Sequence, residues 1–169
     1  MELRTRRALA LIGSAAVLSL ALTGCSVLDG ILGSGSGDAQ RDEDGNVTES
    51  ANVGIFSVDV GDCMLETSTG LLQDADLVPC DQPHDQEVFY EITLPDGEFS
   101  ADDVDAAGQE CVGDPFTSFV GIGYQESVLE VTTISPTQQT WDEFNDRVVQ
   151  CVVVDPAGSV STSLAGAAR

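Results

Sequence analysis

Three stretches of the chain arrange their apolar residues as strands do. Over 87–94, Val88, Tyr90, Ile92 and Leu94 fall on one face and Glu87, Glu91 and Thr93 on the other, with Phe89 breaking the polar side. Residues 128–134 are rich in β-branched side chains and are closed by Ser135-Pro136. Residues 147–154 are nearly all apolar, the pattern of a buried central strand in which Val149, Cys151 and Val153 share one face. Shorter strands are predicted at 63–67 and 77–80. One helix has clear signals. After the turn Pro95-Asp96-Gly97, Ser100 followed by Asp103 resembles a capping box. Ala101, Val104, Gly108 and Cys111 then recur on one face, leaving Asp102, Asp103 and Asp105 toward water. Pro115 is expected to stop the helix, with Phe116 and Phe119 packed behind it. The predicted fold is a small α+β domain over 55–156, an antiparallel sheet with one main helix.

The flanks read differently. Arg4, Arg6 and Arg7 precede an apolar run over 8–22, broken only by Gly13, Ser14 and Ser19. The run is short for a spanning helix, which needs about 20 apolar residues. It ends in Leu22-Thr23-Gly24-Cys25, which resembles the lipobox of bacterial lipoproteins. That resemblance implies a signal peptide over 1–24, cleavage before Cys25, and a diacylglyceryl thioether on Cys25. The acyl chains, of the palmitate class, would hold the protein to the extracytoplasmic face of the cell membrane, each buried methylene contributing about 0.8 kcal/mol. Residues 25–54 are rich in Gly, Ser, Asp and Asn around the acidic run Asp42-Glu43-Asp44, and are expected to be a disordered linker spanning about 30 Å. That run is not a calcium loop, because aligning Gly45 with the turn glycine puts Gln40 at the first ligand and Ala51 at the last. The small-residue stretch 157–169 is expected to be a flexible tail.

Charge narrows the partners. The chain has six arginines, no lysine and 29 acids. Cleavage before Cys25 would remove three arginines and Glu2, leaving three cations against 28 carboxylates and a formal charge of −25. Such a protein does not bind nucleic acid, whose affinity comes from Lys and Arg neutralising phosphates. It also stands off an anionic bilayer and attracts cationic partners.

With Cys25 lipidated, Cys63, Cys80, Cys111 and Cys151 remain. An even count in an exported domain of this size reads as two disulfides. Three pairings are possible. We favour Cys63–Cys80, which closes a local loop around two short strands, and Cys111–Cys151, which ties the helix to the late strand. In the chain-entropy model these contribute about 3 and 4 kcal/mol. Zinc held by these cysteines and His84 is disfavoured, since structural sites start from a tighter cysteine pair. No metal or cofactor is expected.

Three residues are candidates for binding or for structure. His84, the single histidine, sits among Asp81, Asp85 and Glu87. These carboxylates favour imidazolium, which hinders both metal ligation and base catalysis, so a hydrogen-bonding structural role is favoured. Trp141, the single tryptophan, could anchor a partner but suits packing better. Arg147, the one cation over 55–156, is expected to pair with Asp146 or Asp62. No Gly-x-Ser-x-Gly elbow supports a nucleophilic triad.

Several segments in order resemble the septum-formation-related domain of actinobacterial lipoproteins and membrane proteins. These are Val60-Gly61-Asp62-Cys63, Val78-Pro79-Cys80, Pro83-His84-Asp85-Gln86-Glu87-Val88, Cys111, Pro136-Thr137 with Trp141, and Asp146-Arg147-Val148-Val149-Gln150-Cys151. The likeness spans about 60–154, and Asn145 stands where the pattern has Gly. It implies an extracytoplasmic domain connected with septum formation and cell division, and no established catalytic activity. The expected function is therefore a non-enzymatic binding or scaffold module whose partner is an envelope protein or wall component. The alternative is an envelope hydrolase or metal-dependent enzyme working through His84.

Overall fold

Strand pairing follows the predicted antiparallel pattern and adds one unpredicted strand at one edge. The computed structural model describes residues 37–66 and 73–169. The expected signal peptide, Cys25 and the expected linker up to residue 36 lie outside the described residues. The strands are β1 (Ala51–Gly54), β2 (Cys63–Met64), β3 (Asp74–Val78), β4 (Gln86–Thr93), β5 (Glu130–Ile134) and β6 (Val148–Val154). They form one curled sheet in the order β1-β3-β2-β4-β6-β5, with every pair antiparallel. The helices are α1 (Ala101–Glu110), α2 (Asp114–Val120) and α3 (Gln138–Phe144). None of the described helices is long and apolar enough to cross a membrane.

The two faces of the sheet carry separate cores. On the inner face of the curl, Val53, Met64, Ala75, Leu77, Val88 and Val152 pack together and are covered by Val47 and Val58. On the outer face, Val149, Cys151 and Val153 meet the helices through Val104, Ala107, Cys111, Phe116 and Val120. Both predicted disulfides are present, Cys63–Cys80 and Cys111–Cys151. The second staples the end of α1 to β6 within this core, so that both sulfurs are fully buried.

β4 departs from its predicted alternation. Its register against β6 shifts between Val88, opposite Val152, and Tyr90, opposite Cys151. The extra residue is Phe89, which enters the outer core, and this two-against-one arrangement is a β-bulge. Paired residues share a face. Val88 therefore faces inward with Val152, whereas Ile92 faces the helices with Val149. Glu91 and Thr93 take the inner face in place of Tyr90 and Ile92.

The helical segment also differs in detail. Ser100 accepts a hydrogen bond from the Asp103 backbone N–H, as predicted. The helix ends at Cys111 without the help of Pro115, which lies in the first turn of α2, a position where a missing N–H is harmless. α3 was not predicted. Thr137 and Thr140 form its reciprocal capping box, and only Trp141 of its seven residues is buried. Asn145 ends it with φ 56°, the left-handed conformation that Gly adopts freely and Asn tolerates.

Both expected loose segments prove to be packed where they are described. The linker reading fails for 37–54. Arg41 bridges Val47 across a turn, Val47 and Val53 are buried, and β1 pairs with β3. The tail reading fails for 157–169. His84 and Val160 exchange both backbone hydrogen bonds, Leu164 is buried, and the Gly166 and Ala168 N–H groups donate to the carbonyls of Phe119 and Val120. Polar contacts explain both. The Asp62 carboxylate, 1% exposed, takes a two-pronged contact from Arg41. Glu87, equally hidden, accepts from the Leu164 N–H at 2.7 Å and the Ser163 hydroxyl at 2.6 Å. Deleting 157–169 leaves the buried Glu87 carboxylate without donors, so urea unfolding should show a loss of at least about 2 kcal/mol. A frayed tail would leave the midpoint unchanged.

Candidate functional site

Of the three residues singled out in the sequence, Trp141 and Arg147 pack on each other, and His84 makes its contacts elsewhere. His84 is fully buried between β3 and β4. Its Nδ1 lies 2.8 Å from the Gln82 carbonyl, which can only accept, so Nδ1 carries the proton. Nε2 is enclosed and has no partner among the described residues. The ring has no surface open to a substrate.

Trp141 is 5% exposed and donates from its indole nitrogen to the Gly97 carbonyl at 2.9 Å. Phe99 meets its ring edge-on and the Arg147 guanidinium lies 3.7 Å from the ring centroid. The expected carboxylate partners of Arg147 are therefore replaced. Arg147 stacks on Trp141, donates to the backbone carbonyls of Trp141 and Asp146, and lies 3.5 Å from the exposed Asp96. That last approach is a loose ion pair without a hydrogen bond, because Nε is sealed from a properly placed acceptor. Asp62 is taken by Arg41, and Asp155 by Arg169 at 2.5 Å. Arg147 is thus one of three cations in the described domain, and each has a place in the fold.

Cys63, Cys80 and Glu87 bring their ligand atoms close enough for a metal ion. The disulfide occupies both sulfurs, so no thiolate is available there.

The surface instead presents a cleft that no sequence motif marked. It opens where the inner face of the sheet runs beyond the apolar core, and its volume is about 1000 Å³. Ile55, Phe56, Ile134, Phe144 and Val148 give it apolar walls, while Asp59, Glu91 and Asp146 give it charge. Gln150 anchors one wall, donating to the Val58 carbonyl at 2.6 Å. Asp146 is fixed by the Thr140 hydroxyl at 2.9 Å and the Val148 N–H at 3.2 Å. Glu91 projects from β4 because of the bulge. At the rim Phe56 and Phe144 contact each other with ring centroids 5.5 Å apart, yet they are 58% and 61% exposed. A second groove of about 710 Å³ shares these two rings and continues past Pro95, Asp96 and Arg147. Neither Phe could be told from a core residue in the sequence, because exposure of an apolar side chain follows from tertiary placement.

Beside His84 lies the one acid near the paired tail segment whose titration is displaced. Asp85 accepts from the Ser159 hydroxyl and from the Glu66 N–H, and the His84 ring stands near; these hold its carboxyl below the ordinary value of 3.8. A lowered folded value means the stabilisation is fully present above 3.8 and is lost as pH falls from there through the folded value.

Two measurements follow. His84→Ala should cost at least about 2 kcal/mol in urea unfolding, as emptying a sealed site does; an unchanged midpoint would show that the ring is not part of the packing. For Asp85→Asn, the stability gap to wild type should shrink as pH falls below 3.8. A gap independent of pH would show that ionisation of Asp85 contributes nothing.

Compared with models of protein families, with curated proteins and with solved structures, the chain matches none, so function has to be argued from its own residues.

Proposed function

We propose that the protein is a lipid-anchored binding module of the cell envelope, held through Cys25 on the extracytoplasmic face of the membrane and acting in or near septum formation. The observation that carries the binding reading is the exposed Phe56–Phe144 pair on the rim of a preformed cleft. Two phenyl rings left in water at a concave site are what a partner covers, since buried aromatic anchors supply much of the energy of recognition. Two disulfides suit an oxidising compartment. The charged n-region, the apolar run and Leu22-Thr23-Gly24-Cys25 occur in lipoprotein order, and the septal assignment rests on the family resemblance of the segments over 60–154.

The hydrolase reading has less behind it. It would route substrate to a ring with no exposed surface, one nitrogen of which is already committed to a backbone carbonyl.

Growth with an alkyne-tagged fatty acid should label the wild type and leave Cys25→Ala unlabelled; equal labelling would remove the anchor from Cys25. In the same cells, crosslinking should recover an envelope partner, and a tagged copy should concentrate at division sites. Uniform membrane staining throughout the division cycle would sink the septal role.

A further inference from the structure

The geometry points to a basic, apolar peptide segment of a partner protein as the occupant of the Phe56–Phe144 cleft. This rests on the reading of the domain as a binding module and names what that module takes.

Charge is the first argument. The residues lining the larger cleft include Asp59, Glu91 and Asp146 and no Lys, Arg or His. Every cation of the described residues is already engaged, and none lines the larger cleft. Arg41 holds Asp62 and touches Asp59, Arg147 stacks on Trp141 above the neighbouring groove, and Arg169 holds Asp155. Glu91 has no protein partner among the described residues and is exposed. Asp59 already has Arg41 beside it, so it is the counter-charge for Glu91 and Asp146 that must arrive from outside the domain. Anionic polymers are repelled by the same field, which the remaining surface acids reinforce.

The apolar component is the second argument. Phe56 and Phe144 stand at the mouth, with Ile55, Ile134 and Val148 in the walls. A hydrated inorganic cation would leave the apolar walls uncovered, whereas a Leu or Phe beside a Lys or Arg uses both features. The aliphatic stem of such a basic residue can lie on a phenyl face while its head reaches Glu91 or Asp146. The third argument is position. Glu91 reaches the cleft only because the bulge in β4 turns it inward, and Asp146 is held by two donors before any ligand binds.

The test uses the purified full chain immobilised on a biosensor. It is titrated with a synthetic amphipathic Lys-Leu-Phe peptide, with a matched peptide carrying Glu for Lys, and with soluble peptidoglycan fragments. The lysine peptide should bind, with an affinity that falls as salt rises. Phe144→Ser should weaken it about tenfold, as loss of an interface anchor does, and Glu91→Gln should weaken it by at least about threefold. Both side chains are exposed, so both variants should keep the wild-type unfolding midpoint. A triple Asp102→Asn, Asp103→Asn, Asp105→Asn variant of α1 removes more charge from a remote face and should bind as wild type does.

Absence of binding would overturn the proposal, as would stronger binding of the glutamate peptide or of the peptidoglycan fragments. Equal weakening by the α1 triple variant would also overturn it, since attraction would then be diffuse. Should crosslinking in cells recover an envelope partner as efficiently with Phe144→Ser as with wild type, the binding-module reading would stand and the cleft assignment would fall.

Discussion

Strand β4 has to serve two cores, and the extra residue between Val88 and Tyr90 is what allows it. Upstream of the bulge, Val88 belongs to the inner core and Phe89 enters the outer one. Downstream, the parity is reversed: Ile92 packs under α1 while Glu91 and Thr93 take the inner face. Without the bulge the predicted stripe of Val88, Tyr90, Ile92 and Leu94 would extend the inner core to the end of the sheet. The space now forming the cleft would be filled with apolar side chains and closed. One inserted residue thus converts the end of a core into a polar-floored site, in keeping with the tendency of bulges to re-aim side chains beside functional sites. The neighbouring Cys111–Cys151 bridge holds β6 against α1 opposite this shift, so the strand that must accommodate it is fixed from the helical side.

A second constraint governs the chain's flanks. Asp62, Glu87 and Asp155 are all buried, and a buried carboxylate without donors costs several kcal/mol. With so few cations, the domain satisfies these acids by drawing in the segments before and after the sheet. Arg41 reaches Asp62 from the N-terminal side, while Arg169 reaches Asp155 and the Leu164 N–H with the Ser163 hydroxyl reaches Glu87 from the other. These segments have few apolar residues, yet Val47 and Leu164 are carried into the cores with them. Their order comes from polar pairing across 21 residues for Arg41–Asp62 and 77 for Glu87–Leu164.

That explains what could be read from the sequence and what could not. β6, the capped start of α1 and both disulfides were legible, because a continuous apolar run, a Ser at a helix start and an even cysteine count are local or arithmetic signals. The packed flanks were not, since hydrophobic periodicity is blind to a long-range carboxylate–guanidinium pair. α3 was missed because one buried Trp141 in seven residues sets up no period, although Thr137 and Thr140 had the spacing of a cap. Phe89 did signal trouble by interrupting the polar face of β4, and the register shift is the physical content of that interruption. His84, Trp141 and Arg147 drew notice for their chemistry and turned out to be held by backbone carbonyls and ring packing. Phe56 and Phe144 carried no such mark.

Rigidity is what gives the exposed pair its meaning. Phe144 lies at the last position of α3, whose buried Trp141 is tied to Gly97, Phe99 and Arg147 and whose start is closed by the Thr137–Thr140 cap. Phe56 sits on a short 3-10 turn that is fixed just beyond it by the bond from Gln150 to the Val58 carbonyl. Each ring therefore projects from backbone already ordered by buried contacts, and covering the pair would cost little further conformational entropy. A mobile loop bearing the same residues would lose much of the gain in becoming ordered. The negative charge of the domain adds to the proposed role in a different way: it would raise the encounter rate with basic partners and discourage docking on anionic lipid or wall polymer. In the proposed binding role, apolar anchors on a rigid rim and carboxylates in the floor would separate the two tasks of recognition, the rings supplying affinity and the charge deciding which partners approach.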